Sequence, residues 1–301
     1  MDLIDDLPED LLANVRSMCG RRGEEWLSSL PELIRMLEKH WDVNVGTVYA
    51  ASGINYVAPA ETDRGELCVV KICPPYDNNE WLCESAYLRS RNGRACVRLI
   101  AEHPEYRAML IERAVPGLTM DVIFAGREPE CVAPAAKLLQ YLIAGTVEHG
   151  MDSIDLDAWF ENLHRSEGTR FPFEYAEKAL KFYSRLRGSN RKYLHGDFHP
   201  RNIVNATREL FLMIDPKGIV GDVGYEIAVF LNNFHWWQRD RPDITNRLTT
   251  GVCHFADALG LTETEVREWA FAQMVVSAWW TFDELPDQYN NEVADADVWG
   301  V

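Results

Sequence analysis

The chain changes its secondary-structure pattern near residues 112–117, "ERAVPG". Before this segment, short stretches rich in β-branched and aromatic residues alternate with turn sequences, a pattern that predicts strands. After it, apolar residues recur at helical spacing over long stretches. We therefore predict an α+β protein with two parts, because each part must bury its own apolar surface. Residues 1–113 are expected to form a small antiparallel sheet with helices, and residues 114–301 a mainly helical part.

The first part is predicted to contain a helical lead-in, five strands and a second helix. Residues 1–40 have a helical pattern, and residues 78–92, "NNEWLCESAYLRSRN", predict the second helix. The predicted strands are a three-strand meander, "NVGTVYAA", "INYVAPAE" and "ELCVVKI", and a later pair, "CVRLIAEH" and "EYRAMLIERA". One helix among five strands is typical of a small sheet with a helix packed on it.

The second part is predicted to be helical except for one short strand pair. "APAAKLLQYLIAGTVEHG" predicts a helix that stops at Gly150, and "EYAEKALKFYSRLRG" one that ends at Gly188. The strand pair is "NIVN" and "LFLMID". Two apolar helices are predicted near the end of the chain, "VGYEIAVFLNNFHWW" and "TEVREWAFAQMVVSAWWTFDE".

Composition and charge restrict the class of protein. With 47% hydrophobic and 26% charged residues the chain is expected to be globular. No apolar run approaches the ~20 residues that span a bilayer, and "MDLIDDLPED" lacks the features of a signal peptide. We therefore expect a cytoplasmic protein, a monomer or dimer without a membrane partner. The seven scattered cysteines include no C-x-x-C pair, which favours reduced, mostly buried thiols.

The formal charge of −17 argues against a nucleic-acid partner, whose phosphates require basic surface. The same charge would attract a cationic ligand. Solubility alone also explains it.

The segment "YLHGDFHPRNIV", residues 193–204, concentrates the polar side chains that can do chemistry. His195 and His199 are four residues apart, but Pro200 follows at once, so a metal-binding helix is not expected. No serine or cysteine stands beside either histidine to serve as an activated nucleophile. What is left is the spacing D-x-x-x-x-N, formed by Asp197 and Asn202 on a loop that leads into a strand.

This spacing is found in the catalytic loop of kinases. There the aspartate accepts the proton of the attacking hydroxyl, and the asparagine binds Mg²⁺. Such an enzyme also needs a second metal-binding aspartate on the following strand. Asp215, at the end of the strand "LFLMID" and 18 positions after Asp197, has this place. An Asp-Pro turn would otherwise explain it.

Kinases also hold the donor phosphates with a lysine on the third strand, which a glutamate on the next helix orients. Lys71 lies in the otherwise apolar strand "CVVKI", where an unpaired ammonium would be costly to bury. Glu84 on the predicted helix is the favoured partner. Glu80, one turn earlier on a similar face, is the alternative.

The remaining nucleotide contacts are predicted from chain order alone. No G-x-G-x-x-G or G-x-x-x-x-G-K-[ST] occurs. The loop after the first strand contains Ser52 and Gly53, whose backbone N–H groups are candidates for a phosphate; a plain hairpin turn explains it equally well. The segment "MLIERAVPG" is the candidate hinge, with Glu112 and Ala114 offering a carbonyl and an amide to the adenine.

Read together, these residues resemble the aminoglycoside phosphotransferase family, which has a protein-kinase-like two-lobed fold. "LHGDFHPRNIV" and "MIDPKGIVGDVGYEIA" are similar to its catalytic loop and metal strand. The similarity extends over most of residues 24–284 and is strongest to the branch with streptomycin 6-phosphotransferases and hydroxyurea phosphotransferases. "GDV" stands where the family usually has "GDP".

The resemblance implies a role for each matched residue. Asp197 is the catalytic base. Asn202 and Asp215 are Mg²⁺ ligands. Lys71 binds the phosphates of ATP or GTP with Glu84 as its partner. His195 orients the catalytic loop from behind, and Asp222 braces it.

The acceptor of the phosphate is not specified by these motifs. An aminoglycoside pocket needs carboxylates, and Asp283 and Glu284, beside Trp280, are the candidates, with Asp287 near them. Trp236 and Trp237 are placed opposite, although helical spacing favours core packing for most of the tryptophans, including Trp279. Two alternatives stay open: a kinase of a small housekeeping metabolite, and a nucleotide-binding module that no longer transfers phosphate.

Overall fold

In the computed structural model, the described residues are 7–50, 53–76, 79–144, 151–188, 191–287, 289 and 292–301. The chain divides into two compact units, Met1–Val115 and Pro116–Val301. The first unit contains the strand-rich sequence and the second the mainly helical one, as the change of pattern near "ERAVPG" predicts.

The described residues of the first unit form a five-stranded antiparallel sheet with two α-helices. Along the chain its elements are α1 (Glu9–Trp41), β1 (Val43–Val45), β2 (Tyr56–Thr62), β3 (Leu67–Ile72), α2 (Glu80–Arg91), β4 (Leu99–His103) and β5 (Ala108–Glu112). The strand order is β1-β2-β3-β5-β4, so β3 is the central strand. All five predicted strands and both predicted helices are present.

The core of this unit lies between α1 and the sheet. α1 has non-helical backbone angles at Gly20, where the helix kinks. Its buried leucines, such as Leu30 and Leu37, form one cluster with buried residues of β2 and β3, among them Tyr56 and Val70. The alternating burial of β2 shows why the apolar pattern with period two predicts this strand.

The first predicted strand, "NVGTVYAA", is shorter than expected. β1 ends at Val45, yet the chain stays beside β2, because Gly46 N–H donates to Pro59 O (2.8 Å) and Tyr49 N–H donates to Val57 O (2.8 Å). Between these two hydrogen bonds the chain advances three residues, from Gly46 to Tyr49, whereas β2 advances only two, from Val57 to Pro59. The extra residue interrupts the ladder as a β-bulge does, and this local irregularity ends the regular strand.

The second unit, in its described residues, is mainly helical and has two small three-stranded sheets. Its helices are α3 (Met120–Ile123), α4 (Val132–Leu142), α5 (Leu156–Glu161), α6 (Phe173–Leu186), α7 (Val223–Gln238), α8 (Ile244–Leu259) and α9 (Glu263–Glu284). Its strands are β6 (Pro116–Thr119), β7 (Ile154–Asp155), β8 (Lys192–Leu194), β9 (Ile203–Ala206), β10 (Phe211–Met213) and β11 (Ile219–Gly221). A 3-10 helix follows at Glu292–Trp299.

Four predicted helices of this unit and its predicted strand pair are present. α4 ends at Leu142, and the predicted end at Gly150 lies outside the described residues. Helices α3, α5 and α8 and the short strands β6, β7, β8 and β11 were not predicted. Strands of two to four residues are too short to show a period, so the sequence carries little signal for them.

The two small sheets position the loops that carry the polar motif. One has the order β10-β9-β6 with antiparallel neighbours, and in the other β11 pairs antiparallel with β8 and parallel with β7. The motif "HGDFHPRN" connects β8 to β9, and "IDPKG" connects β10 to β11. Each loop therefore begins in one sheet and ends in the other.

The helical core is formed where α7 and α9 pack closely. Gly224, in the first turn of α7, lies directly against the indole of Trp269 on α9. A buried hydrogen-bond chain holds the C-terminal 3-10 helix to both, because Trp299 Nε1 donates to Asn232 Oδ1 (2.9 Å) and Asn232 Nδ2 donates to Gln273 Oε1 (2.5 Å). α9 is buried on several faces, which explains its nearly uniform apolar sequence.

None of the helices in the described part of the chain combines the length and hydropathy that a membrane span needs. Five of the seven cysteines are buried, and the other two, Cys19 and Cys253, are half-buried.

The close contact at Gly224 predicts a large effect of one methyl group. We expect Gly224→Ala to lower the midpoint of unfolding by urea, with a loss of about 1–3 kcal/mol, because the new Cβ would overlap the indole of Trp269. Alanine is otherwise the better helix former, so a loss can only come from the clash. Gly53→Ala is the control, since open space surrounds Gly53. Equal midpoints for the two variants would contradict the packing.

Candidate active site

In the first unit, Lys71 and Glu84 form a buried ion pair. Lys71 lies on the central strand β3, and its Nζ donates to both carboxylate oxygens of Glu84 on α2, at 2.8 and 2.7 Å. Each side chain is at most 7% exposed. Of the two glutamates considered as partners of Lys71, Glu84 makes this contact. Glu80 is the first residue of α2. The bidentate contact holds the ammonium in one position.

The other predicted nucleotide contacts of this unit lie on backbone segments. Gly53 is exposed, and its carbonyl accepts a hydrogen bond from Asn14 Nδ2 (3.0 Å). Ser52 lies outside the described residues. Glu112 ends β5, and its amide and carboxylate bind the backbone of Arg98 (2.9 and 3.0 Å). Ala114 is half-buried in the segment after β5.

In the second unit, the backbone of His195 joins the two polar loops. Its carbonyl accepts from the N–H groups of Lys217 (2.7 Å) and Gly218 (3.3 Å). The next residue, Gly196, has φ +83°, and a Cβ there would lie 3.0 Å from Lys217 and Ile219. Glycine is needed at this position both for the backbone angle and for the close approach.

The His195 ring is fully buried and held in one tautomer. Nε2 faces the carbonyl of Ile214 (2.9 Å), and Nδ1 accepts from the N–H of Asp197 (3.3 Å). Nε2 must therefore carry the proton. Burial lowers the pKa of His195 to about 4, although the charges of Asp197 and Asp215 oppose this effect. The neutral ring connects the catalytic-loop candidate to Ile214, which lies between β10 and Asp215.

Asp197 is kept ionised by its neighbours. Burial alone would raise its pKa, but the hydrogen bond and charge of His199 and the charge of Lys217 lower it. His199 Nε2 lies 3.4 Å from Oδ1 of Asp197, while its Nδ1 accepts from the N–H of Arg201 (3.2 Å). His199 therefore points its own N–H at Asp197. A charged carboxylate in this place can accept a proton.

Asn202 and Asp215 lie at the same end of the β9–β10 hairpin. Ile203 pairs with Met213, and the N–H of Ile214 donates to the carbonyl of Asn202 (3.0 Å). Asp215 is the next residue, exposed and with φ +59°, an angle that aspartate tolerates better than most residues. The positive φ turns the chain sharply at the strand end.

The side-chain amide of Asn202 has a defined orientation. Its Nδ2 donates to the carbonyl and to Oδ2 of Asp197, both at 3.0 Å. Because the NH₂ group faces Asp197, the amide oxygen points away from this carboxylate. Asn202 thus fixes the position of Asp197 and offers an oxygen of its own.

A buried carboxylate that the sequence reasoning did not single out holds this loop. Oε1 of Glu226, on α7, accepts from the N–H of Gly196 (3.0 Å), and the residue is only 1% exposed. Burial raises the pKa of Glu226 to about 7, and the charge of Asp197 adds to the rise. One signal was present in the sequence, a single carboxylate inside the apolar run "GYEIAVF".

The bracing contact expected from Asp222 is therefore made by Glu226. Oδ1 of Asp222 instead accepts from the N–H of Gly188 (2.9 Å), and burial raises its pKa. Asp222 precedes α7, whereas Glu226 lies one turn inside it, on the side that faces the loop.

The acidic residues predicted to meet a substrate are partly neutralised by the chain itself. Arg165 binds both oxygens of Asp283 (2.9 and 3.0 Å), and Arg170 binds Asp287 (3.1 Å). Glu284 is exposed. The carboxylate of Asp283 is therefore already paired with a cation of the chain, because the guanidinium of Arg165 binds both of its oxygens.

The tryptophans named with these residues have different environments. Trp279 is 2% exposed and packs on Phe171 and Phe282, so the alternative of core packing is correct for it. Trp280 is half-buried. Arg239 lies over Trp236 and Arg201 over Trp237, each at 5.2 Å from the ring centroid.

The relatives of the chain identify its family. The family model described as "Aminoglycoside/hydroxyurea antibiotic resistance kinase" matches residues 40–284. The chain belongs to this family. It is therefore an enzyme, a small-molecule kinase, and the suspected resemblance is confirmed.

Two curated relatives lie on the predicted branch of the family. The kinase is 24% identical to a streptomycin 6-kinase of Streptomyces glaucescens over 93% of this chain and 92% of that protein. It is 26% identical to a hydroxyurea phosphotransferase of Kitasatospora aureofaciens over 97% of this chain and 85% of that protein.

Among solved structures, the kinase resembles amicoumacin kinase hAmiN in complex with AMP-PNP, Ca²⁺ and Ami. The TM-score is 0.61 at 14% identity, covering 92% of this chain and 96% of that chain. At this identity the likeness shows the fold alone. It confirms the predicted kinase-like α+β fold.

The buried pair in the first unit predicts a stability effect that is independent of any ligand. We expect Lys71→Met to destabilise the kinase by about 3–5 kcal/mol in chemical unfolding, because the Glu84 carboxylate loses its bidentate partner in a buried site. The double variant Lys71→Met/Glu84→Leu should recover much of this loss. Lys39→Met, at an exposed position of α1, is the control. A double variant less stable than the single one would refute the account.

The buried carboxylate predicts a pH dependence of stability. The pKa of Glu226 rises from its usual 4.5 to about 7 in the folded kinase. Below pH 4.5 the group is protonated in both states. As the pH rises from 4.5 to 7, the unfolded chain loses this proton first, so Glu226 lowers the free energy of unfolding, by about 3 kcal/mol in total.

Glu226→Gln removes this titration. We expect the difference in unfolding free energy, variant minus wild type, to increase with pH between 4.5 and 7 and then to level off. Taking the difference cancels the groups common to both proteins. Glu177→Gln, which changes an exposed carboxylate of α6, is the matched control. A Glu226→Gln difference that stays constant with pH would show that the folded protein binds no extra proton here.

Proposed function

We propose that this kinase transfers the γ-phosphate of ATP, or of GTP, to a hydroxyl group of an aminoglycoside-type antibiotic such as streptomycin, or to hydroxyurea. The observation that carries the proposal is the ionised Asp197, which contacts both Asn202 Nδ2 (3.0 Å) and His199 Nε2 (3.4 Å). A carboxylate held in this way is aimed in one direction, which proton abstraction requires.

In the proposed reaction, Asp197 accepts the proton of the acceptor hydroxyl as its oxygen attacks the γ-phosphorus. The bond between the γ-phosphorus and the bridging oxygen breaks, and the nucleoside diphosphate leaves. His199 holds the carboxylate of Asp197 from one side and Asn202 from the other. Lys71, oriented by Glu84, is proposed to bind the donor phosphates, with Gly53 and Ser52 near the phosphates and Glu112 and Ala114 near the base.

The residues at the end of the β9–β10 hairpin fit a magnesium ion. Asp215 provides an exposed carboxylate and Asn202 an amide oxygen that is turned away from Asp197. In the described part of the chain no three carboxylate, histidine or cysteine side chains cluster as a complete metal site. Two oxygen donors suit Mg²⁺, which keeps waters and substrate phosphates as its other ligands. When bound, Mg²⁺ would neutralise charge on the phosphates.

The acceptor class rests on the named relatives and on charge. One relative is a streptomycin 6-kinase and the other a hydroxyurea phosphotransferase. The net charge of −17 favours a cationic acceptor over a neutral one. We propose streptomycin-like compounds as the first acceptors to examine, and a role in antibiotic resistance. The cytoplasmic location stays a prediction.

Asp197→Ala tests the proposal. We expect the rate of phosphorylation of streptomycin or hydroxyurea to fall by about 10²–10⁴-fold or more, because the proton acceptor is lost. The release of ADP measures this rate. Thermal shift with ATP and Mg²⁺ should still show nucleotide binding, since Asp197 is not proposed to touch the nucleotide. Asp257→Ala, an exposed aspartate on α8, should keep wild-type turnover.

Near-normal turnover in Asp197→Ala would refute the assignment of the base. Nucleotide binding without transfer to any acceptor by the wild type would instead favour a nucleotide-binding module. Comparing ATP with GTP in the same assay identifies the donor.

A further inference from the structure

We infer that two half-buried indoles of the second unit, Trp159 and Trp280, form a recognition site for a cationic group of the acceptor, with the buried ring of Tyr225 packed beside Trp159. We call these residues the aromatic corner. The group would be a weakly hydrated cation, a guanidinium or a quaternary ammonium. This inference rests on the proposed function and specifies how its acceptor is bound.

The aromatic corner brings together three helices. Trp159 lies on α5, Trp280 on α9 and Tyr225 on α7. The rings of Trp159 and Trp280 are 5.0 Å apart between centroids, with their planes at 84°. The ring of Tyr225 is 5.7 Å from that of Trp159 and inclined at 53° to it. The two indoles are nearly perpendicular and in T-shaped contact. The face of an indole attracts a cation.

The aromatic corner begins beside the catalytic loop. Tyr225 directly precedes Glu226, whose carboxylate accepts the N–H of Gly196 (3.0 Å), so this turn of α7 packs on the loop that carries Asp197. Burial raises the pKa of Tyr225, and the charge of Asp197 contributes to the rise. Tyr225 is 1% exposed, whereas Trp159 and Trp280 are half-buried. The half-buried indoles therefore adjoin a buried ring on the turn of α7 that packs on the loop of Asp197.

The chain's own cations distinguish these indoles from others. Arg239 lies over Trp236, Arg201 over Trp237 and Arg165 over the buried Trp279. No lysine or arginine of the described chain lies over Trp159 or Trp280 in the same way. Partly exposed indoles without an internal cation are available to an external one.

Charge near the aromatic corner also favours a cation. Glu284 follows Trp280 by four residues on α9, so the two side chains are neighbours on the helix surface. Glu284 is exposed, while the nearer Asp283 is already bound by Arg165. The net charge of −17 acts in the same direction at long range. A guanidinium or quaternary ammonium loses little hydration on an aromatic face, unlike a primary ammonium.

Substitution of the two accessible indoles tests the inference. Trp159→Leu and Trp280→Leu would be assayed with streptomycin, which carries guanidinium groups, with choline as a quaternary ammonium alcohol, and with hydroxyurea as a neutral acceptor. For the cationic acceptor that the kinase uses, we expect KM to rise roughly 5- to 30-fold with kcat within about twofold. For hydroxyurea, KM should change less than about twofold.

Two further variants separate recognition from folding. Trp280→Phe keeps an aromatic face and should restore most of the affinity that Trp280→Leu loses. Phe182→Leu removes a half-buried ring of α6 over which Lys178 already lies, and it should leave KM for every acceptor unchanged. Calorimetric titration of each variant with streptomycin and with choline measures binding directly, without turnover.

The outcomes distinguish this inference from the proposed function. Equal effects of the leucine variants on cationic and neutral acceptors, no effect at all, or a failure of both cations to bind the wild type would overturn the aromatic corner. Phosphorylation of hydroxyurea alone would leave the proposed function standing and overturn the corner. Indole-dependent binding of streptomycin without its phosphorylation would support the corner and contradict the proposed function.

Discussion

The position of the catalytic loop depends on the buried carboxylate of Glu226, which accepts a hydrogen bond from the N–H of Gly196. This hydrogen bond joins the catalytic loop to the first turn of α7, and α7 packs on α9 at the same level through Gly224 and Trp269. A carboxylate in this environment costs free energy when it is charged, which is why burial raises its pKa to about 7. The loop thus gains a defined position, while the fold loses some stability at neutral pH.

In the first unit, too, a buried polar contact fixes the position of a side chain without contributing much to stability. Lys71 and Glu84 are both buried, and an ion pair of this kind contributes less to stability than apolar residues of similar volume often do. What the pair provides is a fixed ammonium on the central strand. His195 is a third buried polar group with a fixed position. Burial keeps its ring neutral, so that Nε2 donates to the carbonyl of Ile214 and Nδ1 accepts from the N–H of Asp197. Each of these buried polar groups fixes the position of a neighbouring side chain or loop.

The acceptor region has a different character. The carboxylates near the end of α9 are partly neutralised, because Arg165 binds Asp283 and Arg170 binds Asp287. Half-buried aromatic rings are the accessible features beside them. In the proposed aromatic corner, recognition of a cation would rely more on π-faces than on paired charges. Helices α5, α7 and α9 together set the orientation of those faces.

The sequence by itself determined the order of the elements and the residues of the motif. Periodicity and turn residues were sufficient for the five strands of the first unit, and the spacing of Asp197, Asn202 and Asp215 was sufficient for the reaction class, because both depend on near neighbours along the chain. Only the tertiary structure decided which carboxylate holds the catalytic loop. Asp222 and Glu226 are four residues apart, and α7 turns one toward Gly188 and the other toward Gly196. The neutralisation of Asp283 was decided in the same way, because its partner Arg165 is 118 residues distant in the chain. Contacts of this kind leave no local pattern, since they depend on how separate helices pack.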